Sequence, residues 1–72
     1  MSRTIDLLIQ AQAHAEASPM PTTLRLWRDG VAVEMWRNGR RVEKRLRWIE
    51  IETANTNAIM AKIDACASEL SQ

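Results

Sequence analysis

The chain has 72 residues, 46% of them hydrophobic, with three Trp, four Met and neither Phe nor Tyr. That length sets an upper limit of one domain with a modest core, and a net charge of +1 points to no partner by itself. One Cys (Cys66) and one His (His14) exclude a disulfide framework and a four-ligand metal site, so stability must come from packing or from packing plus self-association, and no cofactor is implied.

Residues 4–17 read as a helix, capped by Ser2 or Thr4, with Ile5, Leu8, Ile9 and Ala15 on one face. The Ile5 to Ile9 run is too short for a secretory signal, and nothing approaches the ~20 apolar residues of a membrane span. With a lone Cys this suggests a soluble, cytoplasmic protein without a membrane partner. Ser18-Pro19-Met20-Pro21 ends the helix, because each proline lacks a donor and disfavours helix in the residue before it.

Residues 23–28 and 31–37 alternate apolar and polar, and are followed by Asp29-Gly30 and Asn38-Gly39. These dipeptides between alternating runs signal hairpins, because both central residues of a type I′ turn take positive φ. A third strand is predicted over 40–51 and a final helix over 54–70, capped by Thr53 or Asn55, with Ile59, Ile63, Cys66 and Leu70 as its apolar stripe. The expected fold class is α+β: helix, three-stranded antiparallel meander, helix (αβββα), with both helices on one face of the sheet.

Two-residue turns fix the register. Across Asp29-Gly30, Arg28 should pair with Val31 and Leu26 with Val33. Across Asn38-Gly39, Arg37 should pair with Arg40 and Trp36 with Arg41. One face then collects Leu24, Leu26, Val31, Val33, Met35, Val42 and Leu46. The other collects Arg25, Trp27, Ala32, Glu34, Trp36, Arg41, Glu43, Arg45 and Arg47. Lys44 is the misfit on the apolar face, where it could snorkel or discourage strand-on-strand aggregation. Beyond Leu46 the third strand outruns its partner, so Trp48, Ile49 and Ile51 need cover from a bulge or from a second copy of the chain in a homodimer.

Charge is unevenly spread. Residues 25–47 hold eight basic and three acidic residues, and the flanks are net acidic. Arg25, Trp27, Trp36, Arg41, Arg45 and Arg47 are therefore the candidate contacts, with Arg41 expected to stack on Trp36. Arginine neutralises phosphate and reads guanine in the major groove, and Trp stacks on unpaired bases. Trp and Arg also dominate protein-binding hot spots. No catalytic constellation is apparent. His14 has no nucleophile or carboxylate pattern around it, and Cys66 falls in an apolar stripe, so an enzyme is not expected.

The stretch from Arg25 to Cys66 resembles the three-strand-plus-helix DNA-binding domains of plant ethylene-response factors and of integrase arm-binding domains. The pieces that match are Arg25, Trp27, Glu34 and Trp36 in alternation, the Asn-Gly turn with Arg41, and a strand ending in Ile51-Glu52-Thr53-Ala54 before an alanine-containing helix. The N-terminal helix and the shorter second turn depart from that pattern. The resemblance implies that Arg25, Trp27, Trp36, Arg41 and Arg45 lie in a major groove. Double-stranded-RNA-binding domains share the element order, but 53–60 lacks their basic cluster. The reading is a small nucleic-acid-binding or regulatory accessory protein. The alternative is a protein-interaction module, such as a phage- or mobile-element-type inhibitor docking the same face on a nucleic-acid-processing machine.

Overall fold

In the computed structural model, residues 3–72 are described. The elements are α1 (Arg3–Ala17), β1 (Thr22–Trp27), β2 (Gly30–Arg37), β3 (Arg40–Arg47), α2 (Trp48–Thr53) and α3 (Ala58–Leu70). The strands form one antiparallel sheet in the order β1-β2-β3. This is the expected α+β arrangement with one extra short helix.

Of the two expected caps of α1, Ser2 lies outside the described residues and Thr4 lies inside the first turn. The buried stripe of α1 is Leu7, Ala11 and Ala15 rather than the Ile5, Leu8, Ile9 and Ala15 face. Ile5 and Ile9 are about half exposed or more, at 48% and 60%. Alanines at the contact let the helix approach closely, and that turns the bulkier isoleucines outward. The helix stops at Ala17, where the Ser-Pro-Met-Pro segment begins.

The second hairpin forms as its sequence dictates. Arg37 pairs with Arg40, and Asn38 and Gly39 both have positive φ, 51° and 78°. The first hairpin is shifted by two residues. Trp27, not Arg28, closes the turn, pairing with Gly30, so Arg28 and Asp29 are its central residues. Neither takes positive φ. Gly30 serves a different purpose there. A Cβ on it would overlap the Leu46 carbonyl oxygen and come within 2.8 Å of Arg47 Cα. A shift of two preserves which side chains share a face, so both expected faces survive. It carries Leu26 beyond the helices, however, and this residue assigned to the core is 60% exposed.

The predicted strand over 40–51 ends at Arg47. Residues Trp48–Thr53 form α2 instead, and the final helix runs 58–70 rather than 54–70. The Glu50 carboxylate accepts from Arg47 N at 2.7 Å, which caps the helix start. The Trp48 backbone N–H donates to Asp29 O at 3.0 Å, and its indole Nε1 donates to Arg28 O at 3.0 Å. These bonds fold the chain back over the first turn. The Arg3 guanidinium donates to the carbonyls of Glu52 (2.8 Å) and Ala54 (2.6 Å) at the far end of α2, where a cation complements the helix dipole. Asn57, rather than Thr53 or Asn55, caps α3, accepting from Ile59 N and Met60 N. Its amide also donates to Leu7 O at 2.9 Å, tying α1 to α3.

One core results. Val31, Val33 and Met35 lie fully buried against Ile59, Ile63, Cys66 and Leu70, with Leu7, Ala11, Ala15, Leu46 and Ile51 completing it. Each large side chain contributes roughly 1.5–3 kcal/mol by leaving water. Lys44 snorkels from the apolar face to Glu69, with Nζ 3.1 Å from Oε2. Among the described residues, no helix is long and apolar enough to cross a membrane.

Candidate nucleic-acid interface

The face of the sheet opposite the core is built in cross-strand rows. Trp27, Gly30 and Arg47 form the first row, and Arg25, Ala32 and Arg45 the second. Thr23, Glu34 and Glu43 form the third, and Trp36 with Arg41 the fourth. An acidic row thus lies between two rows bearing arginines. β2 is the central strand, and its outward residues Ala32 and Glu34 are buried beneath longer neighbours, at 2% and 4% exposure.

Ion pairs run along this face. Arg41 reaches both carboxylates, with Nη2 3.1 Å from Glu34 Oε2 and 3.0 Å from Glu43 Oε2. The Arg45 Nε donates to Glu43 Oε1 at 3.0 Å. The Arg25 Nε lies 3.0 Å from Glu34 Oε1, but that buried oxygen accepts no hydrogen bond in good geometry. The hydrogen bond from Arg45, reinforced by the charges of Arg45, Arg41 and Arg25, holds the Glu43 carboxyl below its ordinary value of 4.5 despite its partial burial.

The aromatic groups separate to opposite ends of the face. The Arg45 guanidinium lies over the Trp27 ring, 5.5 Å from its centroid, reaching across β2 where Ala32 is small. Arg41, expected on Trp36, is held by the two glutamates instead. Arg25, Leu26, Trp27, Ala32 and Arg45 line an open hollow floored by Ala32. Trp36 borders a second hollow with Pro19, Met20 and Pro21.

Of the residues singled out in the sequence, Arg25, Trp27, Arg45 and Arg41 are therefore brought together, and Arg47 is exposed at the end of the first row. Trp36 lies apart. Trp48, Ile49 and Ile51 are helical and cannot pair as a strand with a second copy; Ile51 is fully buried and Ile49 is 56% exposed. The organising role of Glu34 was not anticipated. Its signal was position: an acid on a central strand flanked by arginines on both neighbours.

Part of the basic segment serves the fold. Arg37 donates to Leu70 O (3.3 Å), and Arg40 donates to Gln72 O (3.1 Å) and Glu69 O (3.4 Å), at the carbonyl end of α3. Comparison with protein-family models, curated proteins and solved structures finds no match to this chain.

Proposed function

We propose that this protein binds nucleic acid through the open face of its sheet. The observation that carries this reading is the hollow between Arg25 and Arg45, floored by Ala32 and walled by Trp27. Two guanidinium groups on either side of a small residue suit a phosphate, which arginine grips bidentately. Trp27 is partly exposed beside Arg45, where a base or sugar can contact its ring. The Arg–Glu pairs hold the arginine side chains extended across the sheet, so less rotamer entropy is lost on binding.

The test is titration of short labelled DNA, duplex and single-stranded, at low and moderate salt. Binding should weaken with salt and fall in the Arg25→Ala, Arg45→Ala double variant. It should strengthen in Glu43→Gln, which removes a negative charge from between Arg41 and Arg45. No binding to either form at low salt overturns the reading. Binding indifferent to all three substitutions overturns the face.

The hollow beside Trp36, flanked by Pro19, Met20 and Pro21, favours a second reading, in which a protein partner seats an apolar side chain there. A Trp36→Ala variant that keeps nucleic-acid binding but loses a captured partner supports it.

A further inference from the structure

We propose that β1 pairs antiparallel with β1 of a second copy of this chain, around a two-fold axis at Leu24, giving a continuous six-stranded sheet.

The two edges of the sheet differ in kind. The β3 edge carries Arg40, Arg41, Lys44, Arg45 and Arg47 against the single acid Glu43, so pairing it with itself sets like charges together. The β1 edge is Thr-Thr-Leu-Arg-Leu-Trp, with one charge, no proline and no bulge in its pairing to β2. A smooth, weakly charged edge of this kind is a template for another strand.

The hydrogen-bonding phase of β1 is fixed. Trp36 N donates to Pro21 O at 3.1 Å, and Trp27 pairs with Gly30 across the turn. Because bonded residues alternate along an antiparallel strand, Thr23, Arg25 and Trp27 face β2. The backbone groups of Thr22, Leu24 and Leu26 therefore point off the edge. A two-fold axis at Leu24 sets Leu24 opposite Leu24 of the partner subunit, and Thr22 opposite Leu26 of the partner subunit. All three outward residues are then satisfied at once. The same register keeps the apolar faces of both copies on one side.

Charge selects this register over its neighbour. A shift of two residues would place Arg25 directly opposite its own copy. With the axis at Leu24, Arg25 instead faces Thr23 of the partner subunit. The row Arg25, Ala32, Arg45 then continues into the acidic row Thr23, Glu34, Glu43 of the second copy, and the reverse holds across the axis.

The apolar side of this edge is also uncovered. His14 contacts Asp64 and Gln10 contacts Asn57, which marks the flank of α1 that faces α3. Ile5 lies on the flank of the helix turned from α3, and Leu26 lies on the strand beside it; both are substantially exposed. Pairing at β1 brings the two α1 helices side by side, with Ile5 and Leu26 between the copies.

Sedimentation equilibrium of the full chain tests this, with circular dichroism of each variant as a check on folding. A dimer is expected for the native chain. Leu26→Lys and Ile5→Lys, both at exposed positions, should give folded monomers, and Ile49→Lys on α2 should remain dimeric. Hydrogen exchange at the Thr22, Leu24 and Leu26 amides should slow as protein concentration rises. A monomer at every concentration overturns the proposal. So does a dimer that survives Leu26→Lys and Ile5→Lys, or rapid exchange at those three amides in the dimer. This outcome is independent of nucleic-acid binding, which is read by titration.

Discussion

Glu43 lies between two guanidinium groups, which favour its ionised form. Its carboxyl is held below the usual value by Arg45 first and by Arg41 and Arg25 in addition. The folded protein therefore binds this proton more weakly than the unfolded chain does. The contribution is fully present above the unfolded carboxylate pKa and is lost as pH falls through the depressed folded value. Urea melts across the acid range should show stability falling there, and Glu43→Gln should flatten that fall. Cys66 responds in the opposite sense: burial in the core pushes its thiol pKa up. A thiol reagent should label it only on unfolding, so native-state labelling as fast as that of a free thiol contradicts the packing. Gly30 was legible as a turn residue for the wrong reason. Its dipeptide suggested positive φ, whereas the actual constraint is the approach of the Leu46 carbonyl, a contact between residues far apart in sequence. Gly30→Ala should cost about 1–3 kcal/mol in a urea melt, and Gly39→Ala should act through backbone strain alone.

At the scale of elements, the second hairpin was fully legible because Asn38 and Gly39 carry their constraint locally. The end of β3 was not. Trp48-Ile49-Glu50-Ile51 alternates like a strand, yet Trp48 and Ile51 also stand three apart, as on a helix. Tertiary bonds decide between them, since Trp48 is tied to Arg28 and Asp29 across the first turn. The one local clue was Glu50 three residues after the strand end, where it caps the Arg47 amide. Asn57 joins two elements, capping α3 and holding α1 through Leu7. Asn57→Ala should cost about 1–2 kcal/mol, with part of the loss visible as faster amide exchange in the first turn of α3. A loss confined to global melting, with unchanged exchange there, contradicts the capping role. The faces of the sheet were legible despite the shifted first turn, because a shift of two keeps parity. The pairing of Arg41 with carboxylates rather than Trp36 was not, since it depends on which side chains reach across β2.

For the whole molecule, a chain of 72 residues has a stability of roughly 4–11 kcal/mol. Met35 is fully buried on the central strand. Met35→Ala should remove about 2–5 kcal/mol, enough to leave a single copy close to unfolding. If two copies share the β1 edge, the melting temperature should also rise with protein concentration. The diversion of Arg37, Arg40 and Lys44 to α3 has a further consequence. The open face keeps Arg25, Arg41, Arg45 and Arg47 against Glu34 and Glu43, which leaves an excess of about two positive charges rather than the five in the middle of the sequence. A polyanion docking on one copy would release few counterions, and the logarithm of its affinity should fall only gently with the logarithm of salt, by about 0.9 for each phosphate neutralised. A pair of copies presenting both faces would roughly double that slope, so the ionic-strength dependence itself counts how many sheets meet the ligand.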